Sequence, residues 1–230
     1  MIKDRLHEVE QAINEARLDR IRVSKNEPVR LIAVTKNHGI EEMLEAIDAG
    51  VTDVGENRIQ EAIGKYDTLE RNVSWHLIGH LQTNKAKQAV RYFDLIHSVD
   101  SDHLARAIDK EAGKIAKVQD ILVQVNLARE DSKSGIYEED LRGLLDLVET
   151  LPNLRLCGLM CIAPNYEQVE QCRPLFRKMH EIYQRVKEIP YLTANITYLS
   201  MGMTHDYRIA VEEGANIVRV GTAIFGPRQY

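Results

Sequence analysis

Three short stretches of the 230-residue chain carry residues that could do chemistry together. They read RLIAVTKN at 30–37, LSMGM at 199–203 and IVRVGTAIFG at 217–226. In the first, four apolar residues, Leu31 to Val34, run through Thr35 into Lys36. An ammonium is costly to desolvate, so a lysine closing an apolar strand asks for an explanation. The other two stretches place Ser200, Met201 and Gly202, and then Gly221 and Thr222, just past apolar runs. Small residues there let the backbone approach a ligand closely, and the N–H groups of the following segment can face an anion. Partial burial and a nearby cation lower the pKa of an ammonium, leaving an amine able to form a Schiff base. A lysine opposite an anion cup therefore describes a site for an aldehyde with a phosphate arm. Pyridoxal 5′-phosphate (PLP) and a phosphorylated sugar both fit. Arg219 lies two residues before Gly221 and shares its strand face. It would pair with the phosphate or face a pyridine nitrogen, which a permanently charged guanidinium would keep unprotonated. Each residue also has a plainer reading. Lys36 could snorkel to solvent, Ser200 and Thr222 could be helix N-caps, and Arg219 could form an ion pair with Glu212 or Glu213.

These residues need elements to position them. Hydrophobic spacing predicts strands at 31–35, 51–54, 74–78, 95–97, 121–126, 154–160, 196–200 and 217–220. Between them it predicts helices at 40–49, 58–69, 84–92, 101–114, 138–150, 166–188 and 204–213, with glycines such as Gly50 and Gly214 as stops. An extra helix in front buries Ile2, Leu6, Val9, Ile13 and Ala16. The strands are short, apolar and largely free of charge, as in a parallel sheet covered on both faces. Eight strands alternating with helices predict a single-domain α/β fold over residues 1–230, a (β/α)₈ TIM barrel preceded by one helix. A barrel collects its functional groups at the C-terminal ends of its strands. Lys36, Gly55-Glu56-Asn57, Gly79-His80, Asn126, Met160 to Pro164, and the two glycine loops occupy such positions.

Composition narrows the partners. The chain is 44% hydrophobic and carries a formal net charge of −5, which argues against nucleic acid or a membrane surface as ligand. No apolar run approaches the roughly 20 residues of a bilayer span. The N-terminus, MIKDRLHEVEQ, reads as a charged helix rather than a signal, so the expected location is the cytoplasm. Cys157, Cys161 and Cys172, odd in number, are then expected as reduced thiols. Cys157 and Cys161 lack zinc-site spacing and read as packing residues, with no metal expected.

Beyond these residue-level readings, the chain resembles the YggS/PROSC family of PLP-binding proteins of PLP homeostasis. The resemblance rests on AVTK (33–36), GEN (55–57) with Gln60-Glu61, WHLIGHLQTNK (75–85), SVDS (98–101), GLM (158–160), LSMGM and IVRVGTAIFG. It implies a fold similar to the N-terminal domain of alanine racemase, with PLP held as a Schiff base on Lys36. By the same resemblance Ser200, Gly202, Gly221 and Thr222 match phosphate-binding positions, with Met201 among them, and Arg219 matches the arginine by the ring nitrogen. Asn57, His80 and Met160 match pocket-lining segments. Two positions depart from the family's usual pattern: Cys161 stands where a threonine-like residue is common, and His205 where an acidic or small one is. Neither is expected to touch the lysine or the cup. The function implied is a non-catalytic monomeric carrier that holds PLP and delivers it to apo-enzymes. The alternative is a PLP-dependent amino-acid racemase, which needs an acid/base group on each face of the substrate carbon. In the alanine racemase pattern the second group is a tyrosine from another domain, for which no residues follow Tyr230. A lysine aldolase is the third possibility; it would be colourless, whereas bound PLP absorbs in the near-visible.

Overall fold

The computed structural model describes residues 1–130 and 133–227. Helix α1 (Ile2–Leu18) leads into eight strand–helix units: β1 (Arg30–Val34), α2 (Ile40–Asp48), β2 (Asp53–Glu56), α3 (Ile59–Tyr66), β3 (Ser74–Leu77), α4 (Ala86–Tyr92), β4 (Leu95–Val99) and α5 (Asp102–Lys114). The second half runs β5 (Gln119–Gln124), α6 (Glu138–Glu149), β6 (Leu154–Met160), α7 (Arg173–Lys187), β7 (Tyr198–Met203), α8 (Tyr207–Glu212), β8 (Ile217–Val220) and α9 (Thr222–Phe225). The strands form a closed barrel in sequence order, every pair parallel, as the alternating pattern predicts. Closure joins β1 to β8, with Leu31 opposite Val218 and Ile32 opposite Arg219.

The strands divide their side chains between two cores. Outward-facing residues such as Ala33, Val54, Leu77, Ile96, Leu159 and Val218 pack under the helices in one large cluster. A smaller cluster of Ile32, Leu95, Leu122, Cys157, Met160 and Ile217 fills the barrel interior. All three cysteines are buried free thiols, and burial pushes each up to about 12, so they serve as packing groups.

Several predicted boundaries move, each for a physical reason. Strand β2 starts at Asp53 and runs on through Gly55 and Glu56, two residues beyond the apolar run. Gly55 continues the strand because a Cβ there would lie 2.7 Å from Ile32 Cγ2, so only glycine fits over that side chain. Glu56 continues it because Lys65, on α3, supplies a buried counter-charge. The predicted helix 166–188 instead begins at Arg173, after a 3₁₀ turn at Val169–Cys172, because Pro174 belongs in a first turn. Strand β7 extends to Met203 and α8 starts only at Tyr207, since the Asp206 carboxylate accepts the Met203 N–H at 2.6 Å and shapes the intervening turn.

Helix α1 lies across the seam where the barrel closes, against α2, α8 and α9. Just beyond it, the buried Arg20 donates to the carbonyls of Val211 (3.0 Å), Ala215 (2.7 Å) and Glu27 (2.8 Å). A cavity of about 820 Å³ opens at the N-terminal end of the strands, lined in part by Arg30, Asp53, Tyr198 and Asn216. It lies at the opposite end of the barrel from Lys36 and the glycine loops. Among the described residues no helix is long and apolar enough to cross a membrane.

Candidate functional site

Lys36 sits two residues past β1, half-buried, on the strand face that Ile32 presents to the barrel interior. Its neighbours on both sides are fixed from outside the barrel. The Thr35 hydroxyl donates to Glu56 Oε1 at 2.6 Å, and the Thr35 carbonyl accepts from Lys65 Nζ at 2.7 Å. The Asn37 N–H donates to Glu61 Oε1 at 2.5 Å. Asn37 itself has φ +62°, a left-handed conformation that asparagine tolerates better than most residues. Lys65 completes the cluster with bonds to Glu56 Oε1 (2.7 Å) and Glu61 Oε1 (2.8 Å). Burial pushes the Glu56 carboxyl up, and the bonds from Lys65 and Thr35 oppose that shift. The backbone that carries Lys36 is therefore set by residues of β2 and α3, which places a flexible side chain on a rigid base.

Arg219 lies inside the barrel on β8, 3% exposed. Its Nη1 donates to Ser200 Oγ at 2.5 Å and its Nη2 to the Cys161 carbonyl at 2.9 Å. The ion pair with Glu212 or Glu213 does not form. Glu212 is bound by Arg173 at 2.6 Å, and Glu213 by Arg173 and Arg177 at 3.1 Å each, on the outer surface of the barrel. The expectation for Cys161 is also corrected: its carbonyl holds Arg219, and its N–H donates to the Ser200 carbonyl at 3.1 Å. His205, by contrast, is exposed.

A chain of polar side chains continues from Ser200 across the interior. Ser200 Oγ lies 3.0 Å from His97 Nδ1, and His97 Nε2 lies 3.0 Å from His76 Nδ1. His76 Nε2 lies 2.9 Å from Asp53 Oδ1, which Arg30 approaches at 3.4 Å beside the N-terminal cavity. Complete burial, with His76, Arg219 and Arg30 nearby, holds the His97 imidazole well below its ordinary range, so it is neutral. Burial works to raise the Asp53 carboxyl, but the bonds from His76 and Thr52 outweigh it and keep the group ionised.

The two glycine loops meet at the rim near Lys36. A Cβ on Gly221 would stand 3.3 Å from Val34 Cβ, two residues before the lysine. Gly202 has φ +98°, and the ladder is bulged between Ser200/Met203 and Ile217/Arg219, which re-aims the loop beside Arg219. The Gly221 N–H donates to Thr204 Oγ1 at 3.2 Å, and Thr222 is exposed just beyond. Ser200 is fully buried, its hydroxyl engaged by Arg219 and His97 rather than open at the mouth. The Met201 side chain packs in the outer core, so it is the backbone of Met201 that faces the cup. Met160 belongs to the interior cluster, below Arg219's level of the site. Asn57 is half-buried after β2, and Gly79 packs so closely on its backbone that a Cβ would lie 2.3 Å from the Asn57 carbonyl oxygen. His80 stands outside this group, exposed and 3.1 Å from Ser134 Oγ.

Asp53, His76 and His97 were not among the residues expected to matter. The signal for them is strand parity: His76 and His97 alternate with outward-facing apolar residues on neighbouring strands, which aims both inward. Reading only the residues past each strand selects His80 instead.

The arrangement combines a positioned amine, a buried guanidinium whose bonds go to neutral oxygens, and a small-residue rim. It suits a ligand that offers an electrophilic carbon, an acceptor atom for Arg219 and an anionic arm. Comparison with known proteins points the same way. Residues 11–229 match the family model described as alanine racemase, N-terminal domain. The chain is 43% identical over 202 residues to the pyridoxal phosphate homeostasis protein of Aquifex aeolicus, covering 87% of this chain and 88% of that one. It is 37% identical over 210 residues to the protein of the same name from Escherichia coli, covering 89% and 88%. PipY of Synechococcus elongatus, solved with PLP bound, superposes with a TM-score of 0.85 at 37% identity, covering 98% of this chain and all of PipY. The alanine racemase of Clostridium difficile shares the fold alone, at a TM-score of 0.72 and 15% identity, and the match covers 56% of its length.

Proposed function

Since the chain belongs to the family of pyridoxal phosphate homeostasis proteins, built on the alanine racemase N-terminal domain, we propose that it binds PLP at the C-terminal mouth of its barrel and serves intracellular PLP homeostasis. Lys36 holds the cofactor as a Schiff base. Gly202, Gly221 and Thr222 frame the phosphate above Ser200 and Met201, Arg219 faces the ring nitrogen, Asn57 and Met160 border the pocket, and His80 stands at the exposed outer edge of its mouth. What PLP supplies there is an aldehyde carbon for the lysine amine.

Arg219 carries this reading. Its buried guanidinium bonds a hydroxyl and a carbonyl, and among the described residues no carboxylate is hydrogen-bonded to it, which suits it to a neutral ring acceptor beside a phosphate. It would leave that nitrogen unprotonated and the ring a weak electron sink.

The protein acts as a carrier that releases PLP to apo-enzymes, in preference to a racemase. Racemisation needs a second acid/base group facing the one on Lys36. The imidazoles of His76 and His97 are tied up inside the barrel, and His80 is bonded to Ser134 on the surface. We place the protein in the cytoplasm as a single-domain monomer over residues 1–230, in keeping with three buried free thiols and a net charge of −5.

The test is the absorption spectrum with PLP, followed by borohydride reduction and peptide mapping. A near-visible band fixed on the Lys36 peptide is expected; no band, or a label elsewhere, overturns the assignment. Incubation with alanine and other amino acids should give no stereochemical inversion at enzymatic rates. Arg219→Gln should weaken PLP binding by about 10- to 100-fold, the worth of one hydrogen bond to a charged group. Its melting temperature without PLP should not fall, because a buried charge is removed. A lowered melting temperature with unchanged binding would mean that Arg219 serves the fold alone.

A further inference from the structure

One donor order satisfies every contact of the polar chain inside the barrel without charging either imidazole. An arginine donates and never accepts, so Ser200 Oγ accepts from Arg219 Nη1. The hydroxyl then has a single hydrogen to give, and His97 Nδ1 lies 3.0 Å away. With Nδ1 accepting, neutral His97 carries its hydrogen on Nε2, which faces His76 Nδ1 at 3.0 Å. His76 Nδ1 must accept, so its hydrogen is on Nε2, directed at the Asp53 carboxylate 2.9 Å away. Every contact is then a donor–acceptor pair, and the chain ends on an anion that can only accept. Its members lie on five strands, β2, β3, β4, β7 and β8, so it links those strands through the barrel interior. Ser200, His97 and His76 are at most 1% exposed, which keeps water from substituting for a missing member.

We propose that Asp53, His76 and His97 are positioning residues for Arg219, acting through Ser200 in a hydrogen-bond chain of fixed direction that turns the Ser200 hydroxyl hydrogen away from the cofactor site. Ser200 is thereby a support for the guanidinium. Toward the phosphate it offers its backbone and not a hydroxyl donor. The ionised Asp53 sets the order from the far end of the chain, several side chains away, so Arg219 gains directional support through Ser200 rather than through a carboxylate bonded to it. This assignment rests on the PLP reading above for its consequence, though not for the donor order itself.

Two measurements test it. In the PLP-free protein, ¹⁵N NMR of the imidazoles should show both His76 and His97 neutral with the hydrogen on Nε2; a hydrogen on His97 Nδ1 overturns the order. The second compares His97→Leu with His97→Gln. Leucine fits among the interior apolar residues and cuts the chain. Glutamine can accept from Ser200 through its oxygen and donate to His76 through its nitrogen. His97→Leu should bind PLP at least about tenfold more weakly, the loss expected when a bond supporting a charged group is cut, and should shift the near-visible band. His97→Gln should restore both. Wild-type affinity and spectrum in His97→Leu, or a His97→Gln variant as impaired as His97→Leu, overturns the inference. Should His97→Leu fail to fold, the tautomer measurement decides. A wild-type protein that takes up no PLP removes the cofactor reading and this inference with it, whereas wild-type uptake with an unaffected His97→Leu removes the inference alone.

Discussion

Lys36→Ala is expected to abolish the near-visible absorbance of the PLP-loaded protein while leaving the barrel intact and a weaker, reversible PLP affinity in place. The covalent contribution disappears with the amine. The guanidinium of Arg219 and the rim formed by Gly202, Gly221 and Thr222 remain, since neither depends on the lysine side chain. The backbone at position 36 is held by Thr35 and Asn37 through Glu56, Lys65 and Glu61, contacts that alanine leaves in place. Denaturant unfolding without PLP should therefore remain a single cooperative transition. Equilibrium dialysis should show PLP held at least about a hundredfold more weakly, near 2.8 kcal/mol. A retained band would move the attachment to another amine; complete loss of affinity would mean that the cup contributes nothing alone.

Lys65→Met should be the most damaging single change to the fold around the site. The Lys65 ammonium gives its three hydrogens to Glu56, Glu61 and the Thr35 carbonyl, and it is the bonded cation of a carboxylate that is wholly buried. Breaking one side of such a pair typically costs about 3–5 kcal/mol, because the remaining charge is left uncompensated. Glu56 already tends upward in pKa from burial, and without Lys65 it would take up a proton on folding. The folded variant then binds more protons than the unfolded chain above the ordinary glutamate range, so stability falls as pH rises. Denaturant unfolding at several pH values should show the deficit shrinking toward pH 4.5 and widening at pH 8. The double variant Glu56→Gln, Lys65→Met should recover much of the loss. A deficit independent of pH would mean that the lysine acts by packing alone.

The legible part of the molecule was the part that repeats. Apolar runs at strand length and amphipathic runs at helix length alternate along the chain, and the barrel with its rim residues follows from them. Lys36, Arg219 and the glycine loops could be found because they stand where a barrel puts its chemistry. The rest depended on pairings that no local pattern displays. Nothing in DVGE says that Glu56 is buried, because its partner Lys65 is nine residues away on a helix. Nothing near His97 says that it meets Ser200, which is 103 residues further along. For Met201 and His80 the family resemblance named the residue but not its orientation: strand alternation turns the Met201 side chain outward, and the loop after β3 leaves His80 exposed. Cys161 mattered through its carbonyl, a group that every residue has and no side-chain pattern reports.

The seam between β1 and β8 has a consequence for how the chain is made. Leu31 finds its neighbour Val218 only after residue 218 has left the ribosome. Until then β1 is an open strand edge, and the apolar face of α1 lacks the α8 and α9 surfaces that it covers. A nascent chain thus leaves the outer edge of β1 and part of the α1 face uncovered until β8 emerges, when the ring can close and Arg20 can reach the Val211 and Ala215 carbonyls. Ribosome-bound intermediates stalled before residue 217 present two unpaired edges, those of β1 and β7, and are the species that chaperones would need to shield.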